Sequence, residues 1–110
     1  MPPKNYLGEF EQMVLLAILQ GGANANALEI RRELEASANR SVTKGAFYTT
    51  LDRLEKKGYL SWTTRVAEKG RGGLPQRHFS VTPEGIAELQ KSKNALTRLW
   101  RGLDRVLETP

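Results

Sequence analysis

Between Lys44 and Lys57 the chain gathers side chains able to hold a phosphate-bearing polymer. Phe47, Leu51 and Leu54 recur at i, i+4 and i+7, one inward stripe of a helix. Opposite that stripe stand Lys44, Tyr48, Thr49, Asp52, Arg53 and Lys56. Lys44, Thr49 and Arg53 can reach phosphates or base edges, and the Tyr48 phenol can meet a phosphate while its ring packs on the helix. Ser41 or Thr43 caps the start, placing a hydroxyl beside helix amides that favour an anion. Gly45 allows close approach of a nucleic-acid backbone. Asp52 and Glu55 weaken this surface unless they pair with Lys56 or Arg53 and point away from it.

A second basic cluster follows in Lys69-Gly70-Arg71-Gly72-Gly73-Leu74-Pro75, with Arg77 just beyond. An arginine on so slim a backbone suits a narrow minor groove, which makes Arg71 the groove-seeking residue and Lys69 its neighbour. The stretch lacks the Gly-Lys-Ser/Thr ending of a nucleotide loop, and strands rather than a strand and a helix flank it. Catalysis has little to stand on. His78 is the single histidine, there is no cysteine, and the acids are scattered, so no catalytic group, metal site or cofactor is expected. Between Arg77 and Phe79 on a strand, His78 suits packing or a phosphate contact better than general-base work.

Charge is segregated along the chain. From Arg40 to Arg77 there are nine basic residues against three acidic ones, whereas the remainder is close to balanced. The overall net charge of +5 therefore arises in the central third, as an anionic polymer partner would require and solubility alone would not. With 110 residues the chain has room for one core, and its hydrophobic fraction of 39% is slightly low for a self-sufficient monomer. Burial completed by a partner subunit would make up the difference. The longest apolar run, Met13 to Leu19, is too short to span a bilayer, and no signal-like run follows Met1. A cytoplasmic protein without a membrane partner is expected.

The elements that must position these groups are legible as patterns. A first helix is expected from about Gly8 to Leu19, apolar on so many sides that it must be covered on more than one. Gly21-Gly22 stops it, and Asn26 caps a second helix that buries Ala27, Ile30 and Leu34. The third runs from about Lys44 to Lys57, closed by Gly58. Alternation in Leu60, Trp62, Thr64 and Val66 marks a strand, and Gln76 to Val81 its partner. Thr82-Pro83-Glu84 starts a last helix expected to reach about Leu107. Its apolar stripe Ile86, Leu89, (Lys93), Leu96, Trp100, Leu103, Leu107 steps by threes and fours, the rhythm of packing along another helix. Trp100 is either an anchor of that contact or a stacking surface for an aromatic effector between subunits.

The expected fold is mainly α with a small β-hairpin: a winged helix-turn-helix over residues 1–82 and a long C-terminal dimerisation helix over 83–110, within one compact unit. In such folds the third helix enters the major groove and the hairpin lies over phosphates or the adjoining minor groove.

Three segments resemble the PadR family of winged-helix transcriptional regulators. They are Gly8-Glu9-Phe10-Glu11, the run Gly45-Ala46-Phe47-Tyr48-Thr49-Thr50-Leu51-Asp52-Arg53-Leu54 continuing to Leu60, and Arg77-His78-Phe79-Ser80-Val81-Thr82-Pro83-Glu84-Gly85. The resemblance spans about Tyr6 to Leu107, and the single short C-terminal helix is similar to the family's smaller subgroup. It implies a homodimeric regulator, usually a repressor, on a palindromic operator in double-stranded DNA. It also implies that the last helix packs on the first helix of the other subunit, drawing Phe10 and Met13 into an interface with Leu89, Leu96, Trp100, Leu103 and Leu107. Tyr48 would contact the phosphate backbone, the residues around Lys44, Gly45 and Thr49 would face the groove, and a small aromatic molecule near Trp100 would release DNA. His78 departs from the aromatic residue frequent at its position. Two competing functions remain at this level: a protein–protein module on the same scaffold without DNA binding, and an RNA-binding winged helix.

Overall fold

A computed structural model describes residues 6–66 and 75–108. Helix α1 spans Glu9–Gly21, followed by a 3-10 turn over Gly22–Asn24; α2 spans Ala27–Ala38 and α3 Lys44–Lys56. Strands β1 (Leu60–Val66) and β2 (Pro75–Val81) form an antiparallel pair with Trp62 opposite Phe79, before α4 (Pro83–Trp100) and the short α5 (Asp104–Glu108).

Local chemistry accounts for the boundaries. Asn26 accepts from the Glu29 amide at 2.9 Å, while the Glu29 carboxylate turns to Arg32 at 3.0 Å instead of completing a capping box. Thr43, rather than Ser41, caps α3 by accepting from the Ala46 amide at 3.2 Å. At the far end of α3, Gly58 has φ +83°, with Gly58 N–H bonded to the Glu55 carbonyl and Tyr59 N–H to that of Leu54. These are the two bonds of a Schellman close.

The core lies where the first three helices meet the base of the hairpin. Val14, Leu15 and Ile18 of α1 pack with Ile30 and Leu34 of α2, Phe47, Leu51 and Leu54 of α3, and Leu60 and Phe79 of the strands. Phe47 is wholly buried, so Phe47→Ala should cost about 3–5 kcal/mol. Thr50, polar in a core position, donates its hydroxyl to the Ala46 carbonyl at 3.0 Å. The hairpin enters the core through its base: Leu60 and Phe79 are buried, while Thr64 and Val66 are exposed. One further backbone bond, Phe79 N–H to the Ala25 carbonyl at 2.9 Å, ties β2 to the turn before α2.

The C-terminal helix is shorter than its apolar rhythm suggests. Instead of reaching Leu107 it ends at Trp100, because Gly102 adopts φ +78° and turns the chain before α5. Leu103 and Leu107 therefore lie beyond the break. The described chain is extended, with a radius of gyration of 16.3 Å against about 13 Å for a compact domain of this length.

Candidate nucleic-acid interface

Helix α3 buries Phe47, Thr50, Leu51 and Leu54 and exposes Lys44, Gly45, Tyr48, Thr49, Asp52, Arg53 and Lys56. Asp52 pairs with Lys56 at 3.2 Å, one turn apart, so the acid is neutralised within the face. Ser41 stands outside the cap and donates to Glu35 at 3.1 Å. Arg53 lies on the flank turned toward α1, close enough to act on the Glu11 carboxylate. Glu11 also takes the Lys57 ammonium at 3.1 Å and the Gly8 amide at 3.0 Å. Burial alone would raise its pKa, but these bonds and the Lys57 and Arg53 charges outweigh it and hold the carboxyl below its ordinary value.

Tyr48 stands on the opposite flank, its ring edge-on to Phe47 at 5.3 Å. It borders a groove of ≈ 480 Å³ together with Asn26, Ala27 and Leu28 at the start of α2 and Pro75, Gln76, Arg77 and Phe79 of β2. Arg77 stacks its guanidinium 4.1 Å from the Trp62 ring centroid. The groove therefore collects a phenol, a guanidinium held on an aromatic face, and the residues that open α2. Such a set suits a phosphate.

On the hairpin's other face His78 and Arg65 both donate to the Ala23 carbonyl, each at 2.9 Å. Because a carbonyl only accepts, His78 carries its proton on Nδ1, and its place is structural. Lys69 and Arg71, assigned to the tip from sequence, lie outside the described residues.

A separate groove of ≈ 420 Å³ runs between α1 and α4, lined chiefly by Leu16, Leu19, Ile86, Leu89, Leu96 and Trp100, with Lys93 as its one charged residue. Leu96 and Trp100 are exposed, whereas Leu89 is already buried within the chain. Phe10 and Met13 do not join this groove. They face the turn between α2 and α3, where Arg40 stacks 5.0 Å from the Phe10 ring, pairs with Glu9 at 3.1 Å and reaches the Met13 sulfur at 3.9 Å. Leu16 and Leu19 carry the exposed apolar face of α1 instead. The signal for them was the all-round apolar character of α1, which has no directional content by itself.

Sequence reasoning also missed Asn26–Leu28 and Gln76 as part of the Tyr48 groove. The Asn26 cap was readable, but only the long-range placement of β2 brings a helix start beside Tyr48. Among the described residues no cluster of His, Cys, Asp or Glu could hold a metal, and no helix is long and apolar enough to cross a membrane.

A family model described as the transcriptional regulator PadR-like family matches residues 15–91. No curated protein matches the chain. Among solved structures, the fold is similar to a PadR-like transcriptional regulator from Bacillus cereus, with TM-score 0.69 and 17% identity over 92% of this chain and 93% of that one. It is similar to a PadR-like transcription factor from Bacteroides fragilis, at TM-score 0.67 and 21% identity over 88% of each chain. A PadR family regulator from Clostridium difficile aligns at TM-score 0.61 and 23% identity, over 90% and 95%.

Proposed function

The chain belongs to the PadR-like family of transcriptional regulators, and from that premise we propose that it is a homodimeric repressor of a two-fold symmetric DNA operator, released by a small aromatic molecule. Membership makes it a DNA-binding regulator of transcription and not an enzyme. The observation that carries the finer reading is the groove shared by Tyr48, Arg77 and the start of α2, beside the exposed face of α3. In the proposed complex Lys44, Gly45 and Thr49 face the major groove. Tyr48 and Arg77 hold the adjoining phosphates, with Ser41 and Thr43 beside the helix start and Lys69 and Arg71 reaching from the hairpin. Residues 83–110 supply dimerisation, and the two half-sites lie about one helical turn, ~34 Å, apart.

The exposed apolar residues of the α1–α4 groove, with the extended shape of the chain, support a second copy as its cover. The groove's volume lies within the range of small-molecule sites, and Trp100 offers an aromatic face there. Selection of bound fragments from the source genome, repeated with aromatic ligands, tests the whole reading. Enrichment of one palindromic sequence, lost on adding a ligand, is the expected result. Retention of fragments without any shared sequence would overturn operator recognition, and ligand-insensitive retention would overturn release.

A further inference from the structure

On α2 a stripe at i, i+3, i+4 and i+7 (Leu28, Arg31, Arg32, Glu35) faces the turn that leads into α3. With Arg40, Ser41 and Val42 it encloses a hollow of ≈ 370 Å³. Arg31 is held in place there: it is half-buried, donates to the Val42 carbonyl at 3.3 Å, and lies 5.9 Å from the Phe47 ring centroid. The Arg32 side chain is 65% exposed and pairs at 3.0 Å with Glu29, whose side chain is 44% exposed. An exposed pair of this kind is weak and readily exchanged for a phosphate. Glu35 is engaged by the Ser41 hydroxyl, and Arg40 by Glu9, the Phe10 ring and the Met13 sulfur together, so Arg32, with its one ion pair, and Arg31, with one long bond to the Val42 carbonyl, are the cations that can turn to a ligand at this rim.

Leu28, 55% exposed, borders this hollow and also the Tyr48 groove. The two form one track that passes from β2 over the start of α2 to the turn before α3. In helix-turn-helix proteins the helix before the recognition helix crosses the nucleic-acid backbone. We propose that Arg31 and Arg32 form a second backbone-phosphate site, continuing past Leu28 the strand held by Tyr48 and Arg77. The inference rests on the DNA-binding reading above. A guanidinium suits this role because its planar fork can give two parallel bonds to one phosphate. Arg31 supplies a fixed contact and Arg32 an adjustable one.

The test uses the full chain and a labelled mixed-sequence DNA duplex of about 30 base pairs, long enough for two half-sites. Affinity is measured against salt concentration for the wild type, Arg32→Ala and Arg98→Ala, the last an equal charge loss at an exposed α4 residue that does not line the α1–α4 groove proposed as the dimer contact. Arg32→Ala should bind about three- to tenfold more weakly, with the salt slope reduced in magnitude by about 0.9, one phosphate contact fewer. Arg98→Ala should keep the wild-type slope. Unchanged affinity and slope in Arg32→Ala, or equal losses in the two variants, would overturn the site. A wild type that binds no duplex at low salt would instead refute DNA binding, and this inference with it.

Discussion

The Arg77 guanidinium lies 4.1 Å from the centroid of the Trp62 ring, diagonally across the β1–β2 pair. A cation held on an indole face loses less freedom when it meets a phosphate than one on an unsupported stem. Trp62 thereby fixes Arg77 on the wall of the groove that Tyr48 shares. Arg77→Ala should weaken DNA binding by roughly tenfold and lower the salt slope by about one. Its cost in stability should stay near 0.5–1 kcal/mol, the worth of an exposed stack. Fluorescence-anisotropy titrations over a salt series, beside a urea melt, separate the two effects. A stability loss with intact binding would assign Arg77 to the hairpin alone.

Glu11 gives α3 a pH-dependent tie to α1. Its pKa in the folded chain lies below its ordinary value of 4.5, because the Gly8 and Lys57 bonds and the Lys57 and Arg53 charges outweigh the effect of burial. A carboxyl lowered on folding stabilises fully above its unfolded pKa and loses that contribution as pH falls through the folded one. Stability should therefore fall on the acid side, below about pH 4.5. Glu11→Gln should be less stable at pH 7 and show a flatter acid limb. Urea midpoints of both proteins from pH 7 down to about 3 decide this; parallel curves would mean that the pair is inert.

Gly85 is required by contact. A Cβ there would lie 2.3 Å from the Tyr59 carbonyl oxygen and 2.7 Å from Val81 Cγ1. The same junction is tied by Thr82, whose hydroxyl donates to the Gly58 carbonyl at 2.6 Å and accepts the Gly85 amide at 3.0 Å. Backbone cannot yield as a flexible side chain can, so Gly85→Ala should cost about 1–3 kcal/mol despite alanine's better helix propensity. Thermal unfolding followed by circular dichroism checks it, and an unchanged or higher midpoint would show that α4 can shift freely.

Leu16 and Leu96 face the open α1–α4 groove at 49% and 52% exposure. Leu16→Glu places a charge where a second copy is proposed to pack, with little effect on the core of one chain. Sedimentation velocity should show the wild type as a dimer and the variant as a monomer at micromolar concentration. A wild type that stays monomeric would remove the proposed interface.

The elements built from near neighbours were legible in the sequence. The Phe47, Leu51, Leu54 stripe, the Asn26 cap, the Thr82-Pro83 start and the left-handed Gly58 each depend on residues within a turn or two. The end of α4 was not legible. Apolar spacing continues through Leu103 and Leu107, while one glycine with positive φ at position 102 ends the helix. Periodicity reports which side a residue would face if the helix continued, and says nothing of whether it does. Direction on α1 was equally hidden: with apolar residues all round, only the tertiary packing sends Met13 toward α2 and Leu19 toward α4, with Leu16 bordering both. The exposed face of α3 could be read from its own residues, but its grooves could not. Tyr48 shares a groove with Arg77, and Arg53 comes within electrostatic reach of Glu11, only through packing between segments distant in sequence.

The most direct measurement is binding of a selected operator by the Tyr48→Ala/Arg53→Ala double variant, with its thermal midpoint recorded alongside. Both side chains are exposed on α3, on opposite flanks of the face proposed to meet DNA. At about 1–2 kcal/mol for each lost contact, affinity should fall at least about thirtyfold while the dimer remains folded. A folded double variant that binds the operator with wild-type affinity and salt slope would contradict the assignment of this face.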